Sequence, residues 1–198
     1  GELPPGPCVL VCNHLGYIDP VVLCSLRPLA PIAKAELASW PVSGDILWRC
    51  NVIFVRRGDA HSGAVALRRA LRSLRAGVSV LNFPEGTTTR GRLLPFRRGA
   101  FWLARRAGVP LVPVAMRLAD PSLCWVDDQS FLPHYCRLLS RTNKRVELKF
   151  LRALDPRQFA SEVELMAAAH AAIASSDAAP KPVALPIERP LPLRRAAG

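Results

Sequence analysis

No stretch of the 198-residue sequence reaches the roughly 18–20 consecutive apolar residues needed to cross a bilayer, and the longest apolar runs are strand-sized. No basic start leads into an apolar signal segment. The six cysteines (Cys8, Cys12, Cys24, Cys50, Cys124 and Cys136) form no C-x-x-C pair and no zinc-ligand spacing, so they read as small buried thiols of a reducing compartment. Acids are scarce where bases are dense: from Arg56 to Arg106 twelve arginines face only Asp59 and Glu85, giving that window +10 of the chain's +12. The visible chain is therefore expected to be soluble or peripheral to a membrane. It opens at Gly1 in a proline-rich turn, Leu3 to Pro7, which suggests an excised domain or a processed start, with any N-terminal membrane helix outside it.

Half of the residues are hydrophobic, enough for a sizeable core, and the length suits one domain. Apolar runs at Cys8–Cys12, Pro31–Lys34, Asn51–Val55 and Val78–Phe83 read as buried strands. Helices are expected from about Asp19–Pro20, over Ser62–Ala76 and Arg97–Ala107, the last two closed by Gly77 and Gly108, and over the alanine-rich stretch Ser161–Ser175. In the second of these, Val65, Leu67, Leu71 and Leu74 form an apolar stripe opposite Arg68, Arg72 and Arg75. Ala38–Arg49 reads as helical or irregular. Val109–Met116 is a strand whose two prolines push it towards a sheet edge or an interruption. Arg145–Phe150 alternates as a half-buried strand. Strands and helices thus alternate, which predicts a single α/β domain with a mostly parallel central sheet flanked by helices, over residues 1–177. Residues 178–198 carry five prolines and read as a disordered or extended tail.

In parallel sheets, sites gather at the carboxyl ends of strands. His14, Arg57 and Glu85 each follow an apolar strand run, so three strand ends are expected to converge on one cleft. The segment Asn13-His14-Leu15-Gly16-Tyr17-Ile18-Asp19 sets an imidazole and a carboxylate five residues apart across a strand-to-helix turn. A histidine base suits removal of a hydroxyl proton near neutral pH, and a carboxylate on its other ring nitrogen fixes the tautomer. Such a pair also fits a histidine that merely caps a helix. Phe83-Pro84-Glu85-Gly86-Thr87-Thr88-Thr89 offers glycine for close approach and hydroxyl and amide groups for an anion, although the same residues make ordinary turns.

Taken in order, Asn-His-x-x-x-x-Asp, Ile-Phe-Val-x-Arg, Phe-Pro-Glu-Gly-Thr and Val-Pro-x-Val-Pro resemble the four blocks of the glycerolipid acyltransferase family typified by 1-acylglycerol-3-phosphate acyltransferase, over His14 to Val114. The resemblance implies that His14 is the general base and Asp19 its partner. It implies that Arg57 binds the acceptor's phosphate or equivalent anion, that Glu85, Gly86 and Thr87 line the acceptor site, and that Pro110 and Pro113 shape the acyl side. It further implies an acyl-CoA or acyl-carrier-protein donor, a lysophospholipid or other lysolipid acceptor, no metal or cofactor, and peripheral association with the cytoplasmic side of an anionic membrane. Gly16 stands where the family often has serine, and Asn51 where its second block opens with glycine; Thr88-Thr89-Arg90 replaces the commoner Thr-Arg-Ser.

The acceptor stays open between 1-acylglycerol-3-phosphate and lyso-ornithine lipid or another lysolipid. An acyl-cysteine route through Cys12 is a variant mechanism. The arginine-rich helix offers a basic face to anionic lipid, but its leucine and valine side suits packing on the sheet better. Trp40 and Trp48 suit a membrane-facing or acyl-lining patch as well as a core. The rival class, a non-catalytic basic lipid- or nucleic-acid-binding module, predicts aromatics interleaved with the arginines. None lies in the arginine-rich helix, and no nucleic acid partner is expected.

Overall fold

The computed structural model describes residues 3–39, 47–126, 129–142 and 144–176. The expected tail and Trp40 lie outside them. Six strands form one sheet: β1 (Val9–Cys12), β2 (Leu29–Lys34), β3 (Ile53–Val55), β4 (Ser79–Asn82), β5 (Leu111–Leu118) and β6 (Val146–Phe150), in the order β3-β2-β4-β1-β5-β6. All pairings are parallel except β5 with β6. The α-helices are α1 (Ile18–Leu26), α2 (Ala60–Arg75), α3 (Gly99–Ala107), α4 (Phe131–Ser140) and α5 (Glu162–Ala174).

Strand alternation splits the core in two. Val9 and Val11 face one side, where α2, α3 and α5 bring Ala66, Ala70, Leu74, Phe101, Leu165 and Ile173. Cys8, Leu10 and Cys12 face the other, covered by Leu23 of α1 and Leu138 of α4. Among the described residues, α2, α3 and α5 thus cover one face of the sheet and α1 and α4 the other.

Local chemistry sets the boundaries. α2 starts two residues earlier than its apolar pattern predicts because the Asp59 carboxylate caps it, accepting from the Ser62 amide at 3.0 Å. Its tightest packing comes from Ala66, Ala70 and Leu74, with Leu67 and Leu71 flanking and the arginine stripe exposed. Gly77 and Gly108 take φ of 82° and 65°, as helix-ending glycines do. Asn51 takes φ of 58°. The chain turns there through the left-handed region, which asparagine tolerates better than other non-glycine side chains.

One expectation is corrected. β5 is neither at an edge nor interrupted; it lies between β1 and β6 with six of its eight residues buried in an unbroken run. The Pro113 carbonyl accepts from the Leu151 amide at 2.9 Å, so pairing runs one residue past the end of β6, and Pro113 forgoes only the return hydrogen bond that its missing N–H would make. The cysteines are all free, but only Cys8, Cys12 and Cys124 are buried, whereas Cys50 and Cys136 are exposed. Trp48 is half exposed, packed on Phe54 and under the Arg69 guanidinium. No helix among the described residues is long and apolar enough to cross a membrane.

Candidate active site

The site begins where β1 stops. The last β1–β5 pair is Cys12 with Val114. Beyond it the side chain of Asn13 takes over the ladder. Its Nδ2 donates to the Met116 carbonyl at 3.0 Å, and its Oδ1 accepts from the Met116 amide at 2.8 Å. A buried asparagine satisfied in this way mimics one more residue of strand. The main chain of His14 is thereby free to turn away, and its amide donates to Glu85 Oε1 at 2.9 Å.

His14 Nδ1 lies 2.7 Å from Asp19 Oδ2. The same oxygen accepts from the amides of Leu15 (2.6 Å) and Gly16 (2.9 Å). An oxygen that collects three hydrogen bonds acts as an acceptor, so Nδ1 carries the proton and Nε2 keeps its lone pair. Asp19 is fully buried in the first turn of α1, and its Oδ1 has no hydrogen-bond partner among the described residues. The His14 side chain keeps 18% exposure and stacks on Phe83, with ring centroids 4.1 Å apart. A rigid aromatic floor, a fixed tautomer and an open edge are what a positioned base requires.

Glu85 follows β4, the neighbour of β1. Its carboxylate is buried and braced: Oε1 takes the His14 amide and Oε2 the Leu94 amide at 2.8 Å. Burial is the main cause that raises its pKa, partly offset by those two amide donors. Gly86 turns with φ of 74°, and a Cβ there would sit 2.7 Å from Arg97 Nε. The Gly86→Ala variant should therefore lose about 1–2 kcal/mol from the left-handed backbone alone, read as a fall in Tm of about 2–8 °C for a chain this size. The Gly86 and Thr89 amides already donate to the Phe83 and His14 carbonyls, so an oxyanion would draw on other donors of this loop.

The strand order decides how far the expected convergence goes. His14 and Glu85 meet because β1 and β4 are neighbours. Arg57 follows β3 on the same carboxyl edge, but β2 and β4 intervene, so it stands about three strand spacings (about 14 Å) from β1. It is exposed. Thr87 and Gly86 lie half-buried beside Glu85. Cys12 does not suit the acyl-cysteine route. Its thiol is completely buried, its Sγ lies 3.9 Å from Asn13 Oδ1, and burial, with Asp19 and Glu85 adding to it, pushes its pKa well up. Burial likewise raises Cys124, to about 11.

Three features of the site carried no assigned role in the sequence: the Asn13 clamp, the Phe83 floor and Tyr17. The Tyr17 ring packs edge-on to Trp125 and Phe131, and its hydroxyl is 3.0 Å from His134 Nδ1 of α4. Helix α4 was itself unanticipated, although Phe131, His134, Leu138 and Leu139 carry a helical spacing that would have revealed it. No group of three His, Cys, Asp or Glu side chains among the described residues is placed to hold a metal ion.

An imidazole oriented by a buried carboxylate, with no serine or cysteine hydrogen-bonded to it among the described residues, suits a site that activates a hydroxyl brought by the substrate. The comparisons sharpen that class. The sequence model of the Acyltransferase family matches residues 2–117. The lyso-ornithine lipid O-acyltransferase of Pseudomonas aeruginosa is 34% identical over 179 residues, covering 87% of this chain and 69% of that protein. The human 1-acyl-sn-glycerol-3-phosphate acyltransferase alpha is 41% identical over 127 residues, 61% of this chain and 44% of that one. The crystal structure of the 1-acyl-sn-glycerophosphate (LPA) acyltransferase PlsC from Thermotoga maritima superposes with a TM-score of 0.62 at 27% identity, covering 86% of this chain and 65% of its own. The chain belongs to the acyltransferase family. It spans about two thirds of the bacterial relatives named here and less than half of the human one.

Proposed function

We propose that this chain transfers a fatty acyl group from an acyl thioester, carried on coenzyme A or acyl-carrier protein, to the hydroxyl of a lysolipid. One observation carries the reading: Asp19 fixes the proton on His14 Nδ1 at 2.7 Å and leaves Nε2 at the exposed edge of the ring, able to accept a hydroxyl proton. In the proposed step the acceptor's O–H gives its proton to Nε2 as its oxygen attacks the thioester carbonyl. The tetrahedral adduct then expels the thiolate, which takes that proton from the imidazolium, so base and proton both return to the start. Asp19 stabilises the transient imidazolium. Asn13 and Glu85 hold the loop that carries it, and Gly86 and Thr87 border the acceptor. Arg57 and the basic surface around it supply attraction for an anionic headgroup or membrane. No cofactor is required for these steps. The chain works on the cytoplasmic side of the membrane.

The first acceptor to consider is 1-acylglycerol-3-phosphate, supported by the human and Thermotoga relatives. A second reading, lyso-ornithine lipid, is favoured by the longer alignment with the Pseudomonas protein, which reaches 179 residues. Thiol release from palmitoyl-CoA and from palmitoyl-acyl-carrier protein, measured with a panel of lysolipids, tests both. Release that depends on one acceptor names it; no release with any acceptor from either donor, at enzyme concentrations that turn over other transferases, refutes the reading.

A further inference from the structure

The Arg97 side chain rests against Gly86. A Cβ on that glycine would meet Arg97 Nε at 2.7 Å, Cζ at 3.1 Å and Cδ at 3.3 Å, so the guanidinium fills the volume that any larger residue there would need. The backbone supports the same contact, because the Arg97 amide donates to the Pro84 carbonyl at 2.9 Å. Gly86 follows Glu85, whose Oε1 holds the His14 amide at 2.9 Å. The cation therefore stands on the loop of the strand next to the one that carries the base. It is exposed, and among the described residues its guanidinium makes neither an ion pair nor a hydrogen bond. Glu85, its nearest acid in sequence, spends both oxygens on the His14 and Leu94 amides. Other cations on this carboxyl edge are further away or already engaged. Lys34 ends β2, about two strand spacings (about 10 Å) from β1, and its Nζ lies 3.7 Å from Glu36 Oε1. Arg57 is a strand further out. The charge of Arg90 falls on Cys124 and His134, and Thr88 stands where the family commonly has arginine. Helix α3, which starts two residues past Arg97, has no side-chain cap, so its positive end adds to the charge there.

We propose that Arg97, seated on Gly86, binds the oxyanion of the acceptor's headgroup, a phosphate monoester or a carboxylate, and so sets which lysolipids are accepted. A guanidinium pairs with either group through two parallel hydrogen bonds. The glycine backbone holds one side of the cation, which leaves less freedom to lose when an anion arrives. The position suits the reaction. In 1-acylglycerol-3-phosphate the phosphate hangs on the carbon next to the one that bears the free hydroxyl. A cation on the strand beside that of the base can hold the phosphate while His14 Nε2 receives the hydroxyl proton. Arg57 then acts from a distance, as part of the basic surface. The inference rests on the proposed lysolipid acceptor, and the diphosphate of a coenzyme A donor is the competing occupant.

The test is calorimetric titration, with no acyl donor present, of the full native chain and of Arg97→Gln, Arg97→Lys and Arg57→Gln. The ligands are 1-octanoylglycerol-3-phosphate, a lyso-ornithine lipid of similar chain length, and uncharged 1-octanoylglycerol. Arg97 is exposed and its side chain bonds to nothing described, so Arg97→Gln should keep the native Tm. It is expected to bind the charged acceptor about tenfold or more weakly and 1-octanoylglycerol within about twofold of native, with Arg97→Lys recovering part of the loss. Whichever charged acceptor loses more, the phosphate or the carboxylate, is the one the seat fits. Binding of both charged acceptors by Arg97→Gln within about twofold of native would overturn the proposal. So would an equal loss on the uncharged one, a larger loss in Arg57→Gln, or native binding of neither charged acceptor. A rise in KM for palmitoyl-CoA with acceptor binding unchanged would give the seat to the donor instead and overturn it too. Because the readout is binding, a chain that holds charged acceptors through Arg97 but transfers no acyl group would leave this inference standing while the transferase reading fell. Native rates of transfer to both charged acceptors by Arg97→Gln would do the reverse.

Discussion

His14→Ala is expected to abolish acceptor-dependent thiol release, with kcat falling on the order of 10²–10⁴-fold, the range that a positioned general base contributes. The effect should appear in kcat rather than KM, because the ring receives a proton in the transition state and holds little of the substrate in the ground state. Its fold should be largely intact. The backbone amide of His14, which anchors the loop to Glu85, is unchanged by the substitution, and the ring is the partly open element of its surroundings. His14→Gln serves as the companion variant, since it fills the space over Phe83 without a titratable nitrogen. If either variant transfers acyl groups at a rate near native, His14 is not the base and the mechanism fails.

Asp19 should give a graded result that tests the geometry itself. All three of its hydrogen bonds converge on one oxygen, Oδ2. Asparagine can place its amide oxygen there and keep the three donors, while its amide nitrogen takes the unpartnered position of Oδ1. Asp19→Asn should therefore preserve the fold and the histidine tautomer but lose the negative charge that steadies the imidazolium, lowering kcat by about 10²-fold or more. Asp19→Ala instead leaves the Leu15 and Gly16 amides buried without acceptors. At about 1–3 kcal/mol for each orphaned group, it should lose roughly 2–6 kcal/mol of stability as well as activity. Chemical denaturation and kcat measured on both variants separate charge from architecture. An asparagine variant as active as the native chain would show that the carboxylate's charge does not serve the reaction.

Much of this site is legible in the sequence for a reason that belongs to α/β folds. A buried strand followed by a polar residue marks a carboxyl edge, and the H-x-x-x-x-D spacing fits one strand-to-helix turn, so His14 and Asp19 stand out as a candidate pair, which the family resemblance then selects over a helix cap. Glu85 could be placed near them because a second apolar run ends just before it. What spacing does not contain is strand order. Nothing local in Ile53–Val55 says that β3 forms the far edge with two strands between it and β1, and so the distance of Arg57 from His14 emerges only from the sheet. Pro113 misled because proline is judged by the amide it lacks, whereas its carbonyl and the strands on both sides hold it in the sheet interior. Helix α4 was hidden by Pro133, which reads as a breaker but sits in the first turn, where no intrahelical donor is lost. The role of Asn13 was out of reach, since its partner, Met116, is remote in sequence.

The glycine two residues past the base has a neighbour that constrains what can replace it. A Cβ at Gly16 would lie 3.3 Å from both the backbone nitrogen and the Cβ of Trp125, whose amide is fixed to the Leu15 carbonyl at 2.8 Å. A serine there, the residue often found in this family, would need the Trp125 segment to withdraw by a few tenths of an ångström. Positions 16 and 125 are thus coupled by contact: a closely seated tryptophan loop leaves room for a glycine and little more. A graft of serine alone at position 16 should be felt first in the Trp125 segment, more than a hundred residues away along the chain.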